Sequence, residues 1–217
     1  MEPNPHAEWI AWLDPQDDYG KRRIALLRAA FDTIAEAGFE GLRTRLVASR
    51  AGVNIATLHY YFPSKQDLIQ GLASFIGARF LALHGPSPAP SGLPALDRLR
   101  QEFSDGRFYQ KDHPEMLLVL QEFVLRGKRD PSVQKVVDQM HAGWRYGVEQ
   151  MVHAGVGDGT FRADIPPAEI ILMLMSIFSG SASLPSGQMD AVERNTEAWL
   201  LSPGARRKLK TSPRGGK

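Results

Sequence analysis

The chain has 217 residues, 43% hydrophobic and 23% charged, with 26 basic against 24 acidic side chains and no cysteine. These fractions are those of a globular chain with room for one compact domain or two small ones, which excludes wholesale disorder. The lack of cysteine excludes a disulfide scaffold, a thiolate zinc site, a thiol nucleophile and an iron–sulfur cluster.

The net charge of +2 is unevenly distributed. Residues 1–20 carry five acids and no base, and 21–65 carry eight bases and three acids. Residues 66–204 hold twelve bases and sixteen acids, and 205–217 six bases and no acid. A basic block beside a larger, slightly acidic body is the pattern of a small module that meets a polyanion. A solvated charged surface is the plainer reading of the same pattern. The longest apolar run, Ile170 to Phe178, is about half the ~20 residues of a membrane span. The start of the chain is acidic rather than basic and then apolar, so neither anchor nor export signal is read. The expected location is the cytoplasm. Trp9 and Trp12 in the acidic start have no role readable from the sequence.

In chain order, Ile24, Leu27, Phe31 and Ile34 form one apolar stripe of a helix from about Lys21 to Ala37, stopped by Gly38. A short helix follows over Arg45–Ala51, and Gly52 stands where a left-handed cap is required. Asn54 is a good N-cap, and Val53 and Leu58 occupy the two positions of a hydrophobic staple, so a second short helix starts at Ile55. It ends near Phe62, because Pro63 disfavours helical angles in its predecessor. Ser64 with Asp67 is a variant capping box that opens a longer helix with Leu68, Leu72, Phe75, Ile76 and Leu83 on its stripe.

Gly85–Pro94, with four prolines, reads as a linker or long loop. Helical spacing resumes with Leu96, Leu99 and Phe103, then over Met116–Leu125 after Pro114. A long helix beginning at Pro131 is expected to end at Gly155. The Gly157-Asp158-Gly159 loop lacks the alternating ligands and closing glutamate of a calcium site. Ala168–Ser183 is apolar nearly all round, and Met189, Val192, Thr196 and Trp199 mark a last amphipathic helix. No strand pattern and no internal repeat is present, and the expected fold class is all-α.

Two short helices joined at Gly52, with Ala48 at the close approach, meet the steric demands of a helix-turn-helix whose second helix enters the major groove. Around them stand Gly38-Phe39-Glu40-Gly41-Leu42-Arg43-Thr44-Arg45, then Ala48, Ala51-Gly52-Val53, and Thr57-Leu58-His59-Tyr60-Tyr61-Phe62-Pro63-Ser64-Lys65. This string strongly resembles the tetracycline-repressor (TetR) family of bacterial transcriptional regulators over about residues 21–75. A looser resemblance covers the Arg129-Asp130-Pro131 step and the Gly159–Asp164 loop, which look like that family's effector and dimerisation domain. The resemblance implies an N-terminal three-helix DNA-binding domain over 21–75, preceded by an extension over 1–20. A helical ligand-binding and dimerisation domain over 76–204 follows. By its charge alone, the basic tail over 205–217 reads either as a nonspecific DNA contact or as a disordered, solubilising end.

The resemblance puts Arg45 at a base edge, where an arginine can pair bidentately with guanine, with Asn54, Ile55, Ala56 and Tyr60 toward the groove. It assigns Thr44, Thr57, Tyr61, the residue at 59 (here His59) and Lys65 to phosphates. Lys21, with Arg22 and Arg23, reads either as a further phosphate contact or as a solvated helix start. The chain departs from the family pattern at His59, Ile55 and Arg43. Phe62 reads as core, and Tyr61 as either core or contact.

The helices about Ala168–Ser183 and Met189–Leu201 are implied to pair with a second copy in a homodimer, burial within one chain being the plainer reading. Phe103, Phe108, Met116, Leu120, Phe123, Met140, Trp144 and Met151 are ordinary core or line an apolar effector pocket. Glu122, His141, Arg145 and Tyr146 are the candidates for orienting a small molecule there.

The expected partners are therefore double-stranded operator DNA, a small effector and a second copy. The expected function is repression, relieved when the effector shifts the dimer. The rival readings are a nonspecific architectural DNA binder and a helical ligand carrier. No Ser–His–Asp arrangement, GxSxG elbow, phosphate loop or HExxH pair is found, and the histidines at 6, 59, 84, 113, 141 and 153 have no metal-ligand spacing. No catalytic residue, metal or cofactor is expected.

Overall fold

The computed structural model describes residues 13–83, 93–185 and 187–211. Trp9, Trp12, most of the 85–94 linker and residues 212–217 lie outside the described residues. Among those described, the elements are α1 (Asp18–Ala37), a 3₁₀ turn (Phe39–Gly41), α2 (Thr44–Arg50), α3 (Ile55–Tyr61), α4 (Lys65–Leu83), α5 (Ala95–Asp112), α6 (Pro114–Gly127), α7 (Pro131–Gly157), α8 (Pro167–Ser181), α9 (Met189–Leu200) and α10 (Pro203–Thr211). The one β-type pairing among them is an isolated antiparallel bridge between Phe161 and Leu201, so the all-α expectation holds. No described helix is long and apolar enough to cross a membrane.

The described residues divide into two compact units, 13–83 with 114–141 and 93–113 with 142–211. This departs from the expected boundary at 75/76, because α6 and the first part of α7 belong with the N-terminal helices. In the first unit Leu27, Phe31 and Ile34 of α1 are buried with Leu68, Leu72, Phe75 and Ile76 of α4. Phe31 and Phe75 meet edge to face at 6.1 Å. Val47, Ala48, Leu58 and Phe62 add the buried faces of α2 and α3.

In the second unit Leu99 and Phe103 of α5, Val148, Met151 and Val152 of α7, Ile170, Leu174 and Phe178 of α8, and Leu200 of α9 form one core. Two arginines of α5 tie it to α9. Arg100 reaches Glu197 at 2.6 Å, and Arg107 reaches Glu193 at 2.6 Å and Asp190 at 3.1 Å.

Several boundaries differ from the sequence expectation. Helix α1 begins at Asp18 rather than Lys21, because the Asp17 carboxylate accepts the Gly20 N–H at 2.7 Å and caps it. Helix α7 runs through Gly155 to Gly157. Gly155 is a contact position, since a Cβ there would lie 2.2 Å from the Phe161 ring, and the chain turns instead after the helix.

The expected disordered tail is helical through Thr211. Ser202 accepts the Ala205 N–H at 3.1 Å, and Pro203 occupies the first helical position, where its missing donor costs nothing. The loop before α8 is clasped to that start. The Ser202 hydroxyl donates to the Gly159 carbonyl at 2.6 Å, and Arg162 grips Asp164 through two bonds of 2.6 and 2.8 Å.

Candidate nucleic-acid interface

The local sequence fixes the two short helices. Helix α2 ends at Arg50 with Ala51 as its C-cap, and Gly52 then takes φ 67°, the left-handed region open to glycine. Its successor Val53 donates to the Ala48 carbonyl at 2.9 Å and closes the turn. Asn54 then caps α3, its side-chain oxygen accepting from the Thr57 N–H at 2.8 Å and from the Thr57 hydroxyl at 3.0 Å.

Leu58 is fully buried and anchors the inner face of α3. Phe62 is buried as the sequence predicts, with the Arg23 guanidinium 5.3 Å from its ring centre. At the start of α4 the capping box forms as read, the Ser64 N–H donating to Asp67 at 2.9 Å and the Asp67 N–H to the Ser64 hydroxyl at 3.1 Å.

What these anchors leave outward is a mixed basic and aromatic face. Arg43, Arg45, Asn54, Ala56, His59 and Lys65 are exposed, with Thr44, Ile55, Thr57 and Tyr61 half-buried and Tyr60 71% exposed. Lys21 and Arg22 are exposed on the first turns of α1. Two candidates are already engaged. The Asn54 oxygen belongs to the cap, which leaves its NH₂ as the group that can turn to a base, and the Thr57 hydroxyl donates to it.

Arg50, in the last turn of α2, is ion-paired with Glu36 of α1. Its hydrogen bond holds the Glu36 carboxyl below the ordinary carboxylate value, so this arginine braces α2 against α1. The residue that sequence reasoning missed is Tyr19. Its ring lies 4.7 Å from that of Tyr61 and 6.2 Å from that of Tyr60. The signal that points to it is Asp17, an N-cap residue type followed by an acid, Asp18, in the first turn.

The proposed pocket residues fall in both units. In the first, Met116 and Phe123 are fully buried, and Leu120, Met140 and His141 are half-buried. Phe123 packs edge to face on Phe39 at 5.2 Å. Glu122, expected to orient a ligand, accepts the Phe39 N–H at 2.7 Å. It therefore holds the chain just before α2, because a 3₁₀ turn of three residues leaves its first N–H without an internal partner.

In the second unit Phe103 and Met151 are buried, and Phe103 meets Phe178 at 5.2 Å. Trp144 donates its indole N–H to Glu102 at 3.0 Å. Phe108 is half-buried, its ring 5.1 Å from that of His113. Arg145 pairs along its own helix with Glu149 at 2.8 Å, and Tyr146 is exposed.

Known proteins agree with this geometry. The sequence model for bacterial regulatory proteins of the tetR family matches residues 26–72. An uncharacterized HTH-type transcriptional regulator of Mycobacterium bovis is 27% identical over 183 residues, 84% of this chain and 78% of the relative. The HTH-type transcriptional regulator RutR of Escherichia coli is 47% identical over 47 residues, 22% of each chain.

Among solved structures, a TetR transcription regulator from Haloarcula marismortui superposes with a TM-score of 0.71 at 16% identity, covering 84% of this chain and 99% of that one. A transcriptional regulator from Saccharomonospora viridis in complex with choline superposes with a TM-score of 0.67 at 19% identity, covering 84% and 98%.

Proposed function

The chain belongs to the tetR family of bacterial regulatory proteins, and from that premise we propose that it is a repressor that binds a palindromic DNA operator as a homodimer and is released by a small, largely apolar effector. The observation that carries this reading is the outward face of α3. The helix is capped by Asn54 and anchored by Leu58, and it leaves a row of exposed side chains in Ala56, His59 and Tyr60.

Arg45, the Asn54 amide, Ile55, Ala56 and Tyr60 meet base edges, and Lys21, Thr44, Thr57, His59, Tyr61 and Lys65 meet phosphates. That division suits the chemistry: lysines, hydroxyls and an imidazole can meet phosphate oxygens, and the Arg45 fork, the Asn54 amide and short or flat side chains can meet base edges. Residues 21–75 are the reading head, and the helices that follow carry effector binding and dimerisation.

Dimerisation is supported by Leu172 and Met173 of α8, which are 62% and 47% exposed. Two large apolar side chains in a row there favour a second copy. Effector binding is supported by the choline held by the Saccharomonospora neighbour. A coupling of ~1–3 kcal/mol between the two sites gives a 5–150-fold change in DNA affinity.

Selection of bound duplexes from random sequence tests the reading. The expected product is a palindrome with half-sites one helical turn, or a multiple of it, apart. An unenriched pool, the outcome for an architectural binder or a ligand carrier, overturns it.

A further inference from the structure

We propose that Tyr19 is a positioning residue of the DNA interface, whose ring fixes Tyr60 and Tyr61 of α3 in the orientation that meets DNA. The inference rests on α3 being the DNA-reading helix. Tyr19 lies before the family-matched span of 26–72, so the match assigns it nothing.

Three observations carry the inference. First, the three rings form a closed set. Tyr19 tilts on Tyr61 at 4.7 Å, Tyr60 meets Tyr61 edge-on at 5.2 Å, and Tyr19 meets Tyr60 edge-on at 6.2 Å. All three separations lie within the range in which aromatic pairs attract. Second, Tyr60 needs such a restraint. It stands 71% exposed in the last turn of a seven-residue helix, where the backbone frays and a lone tyrosine samples several rotamers.

Third, Tyr19 is itself held in register. Asp17 caps the helix through Gly20, and Pro15 folds back so closely that a Cβ on Gly20 would lie 2.4 Å from the proline. The residue works through its ring rather than its hydroxyl, because its neighbours Asp14, Asp17 and Asp18 are exposed acids that disfavour a phosphate beside it. Tyr19 is 51% exposed and outside the core, so its truncation leaves the fold intact.

The test compares Tyr19→Phe and Tyr19→Ala on the duplex selected by the wild-type chain, over a range of salt. Tyr19→Phe keeps affinity within about twofold. Tyr19→Ala weakens it at least about fivefold, the low end of the scale of two lost aromatic contacts, with an unchanged salt slope. Fluorotyrosine labelling adds a readout that a general loss of stability does not move: Tyr19→Ala shifts the resonances of Tyr60 and Tyr61 and leaves those of Tyr109 and Tyr146 in place.

Wild-type affinity in Tyr19→Ala, or equal losses in both variants, overturns the proposal. A wild-type chain that prefers no duplex overturns instead the reading on which it rests.

Discussion

Replacing Glu122 by alanine removes the carboxylate that accepts the Phe39 N–H, and the structure sets the size of the effect. The bond is 2.7 Å long and part-buried, and its donor opens the 3₁₀ turn. Gly38, immediately before it, has φ 66° and no side chain that could take over as acceptor, and the Glu122 carboxylate lies 3.2 Å from where its Cβ would be. A hydrogen bond to a charged group contributes ~1.5–3 kcal/mol, and an orphaned part-buried donor retains most of that cost.

Glu122→Ala is therefore expected to destabilise the chain by ~2 kcal/mol. Glu122→Gln, which keeps a neutral acceptor of about half the strength, should lose ~1 kcal/mol. Urea unfolding gives both values, and amide exchange at Phe39 should quicken in the same order. A Glu122→Ala variant within ~0.5 kcal/mol of wild type, the range of an ordinary surface change, or a glutamine variant as damaged as the alanine one, refutes the reasoning.

Three further outcomes are expected. Arg45→Ala should relax base preference at one operator position, by ~1–3 kcal/mol of discrimination, while Lys65→Ala should weaken all duplexes alike and lower the salt slope by about one; equal, salt-insensitive losses in selection and titration would count against both roles. Gly155→Ala should destabilise by ~1–2 kcal/mol in thermal unfolding, because overpacking against the buried Phe161 ring outweighs the better helix propensity. Gly143→Ala, with nothing within 4 Å of its Cβ, should stabilise by up to ~1 kcal/mol, so matching signs for the two would refute the contact. The Arg162 hydrogen bonds hold the Asp164 carboxyl at about 2, down from 3.8. A lowered folded-state value gives a contribution present above the unfolded value and lost as pH falls toward 2. An NMR titration midpoint for Asp164 near 4 would show that the pair does not form.

The elements were legible wherever local chemistry decides them. Asn54, the Ser64/Asp67 box and Gly52 act within four residues of themselves, so spacing alone located α3, the start of α4 and the turn between α2 and α3. The outward placement of Ala56 and Tyr60 was implied by the family resemblance, and both are exposed on α3 opposite the buried Leu58. Signals of equal strength were present at Asp17 and at Ser202-Pro203, where the apolar stripe and the basic composition pointed elsewhere.

What the tertiary structure alone decided is which partner each side chain finds across the chain. Glu122 reads from sequence as a polar residue on an apolar helix, suited to a ligand; only the fold brings Phe39, 83 residues away, within reach of it. Gly155 reads as a stop until Phe161 is laid against it. Tyr19 reads as nothing until α1 and α3 are packed together. Helix and turn follow from interactions between near neighbours along the chain. Contacts between distant residues depend on the closure of the intervening loops, and the pattern of types along a sequence does not encode that closure.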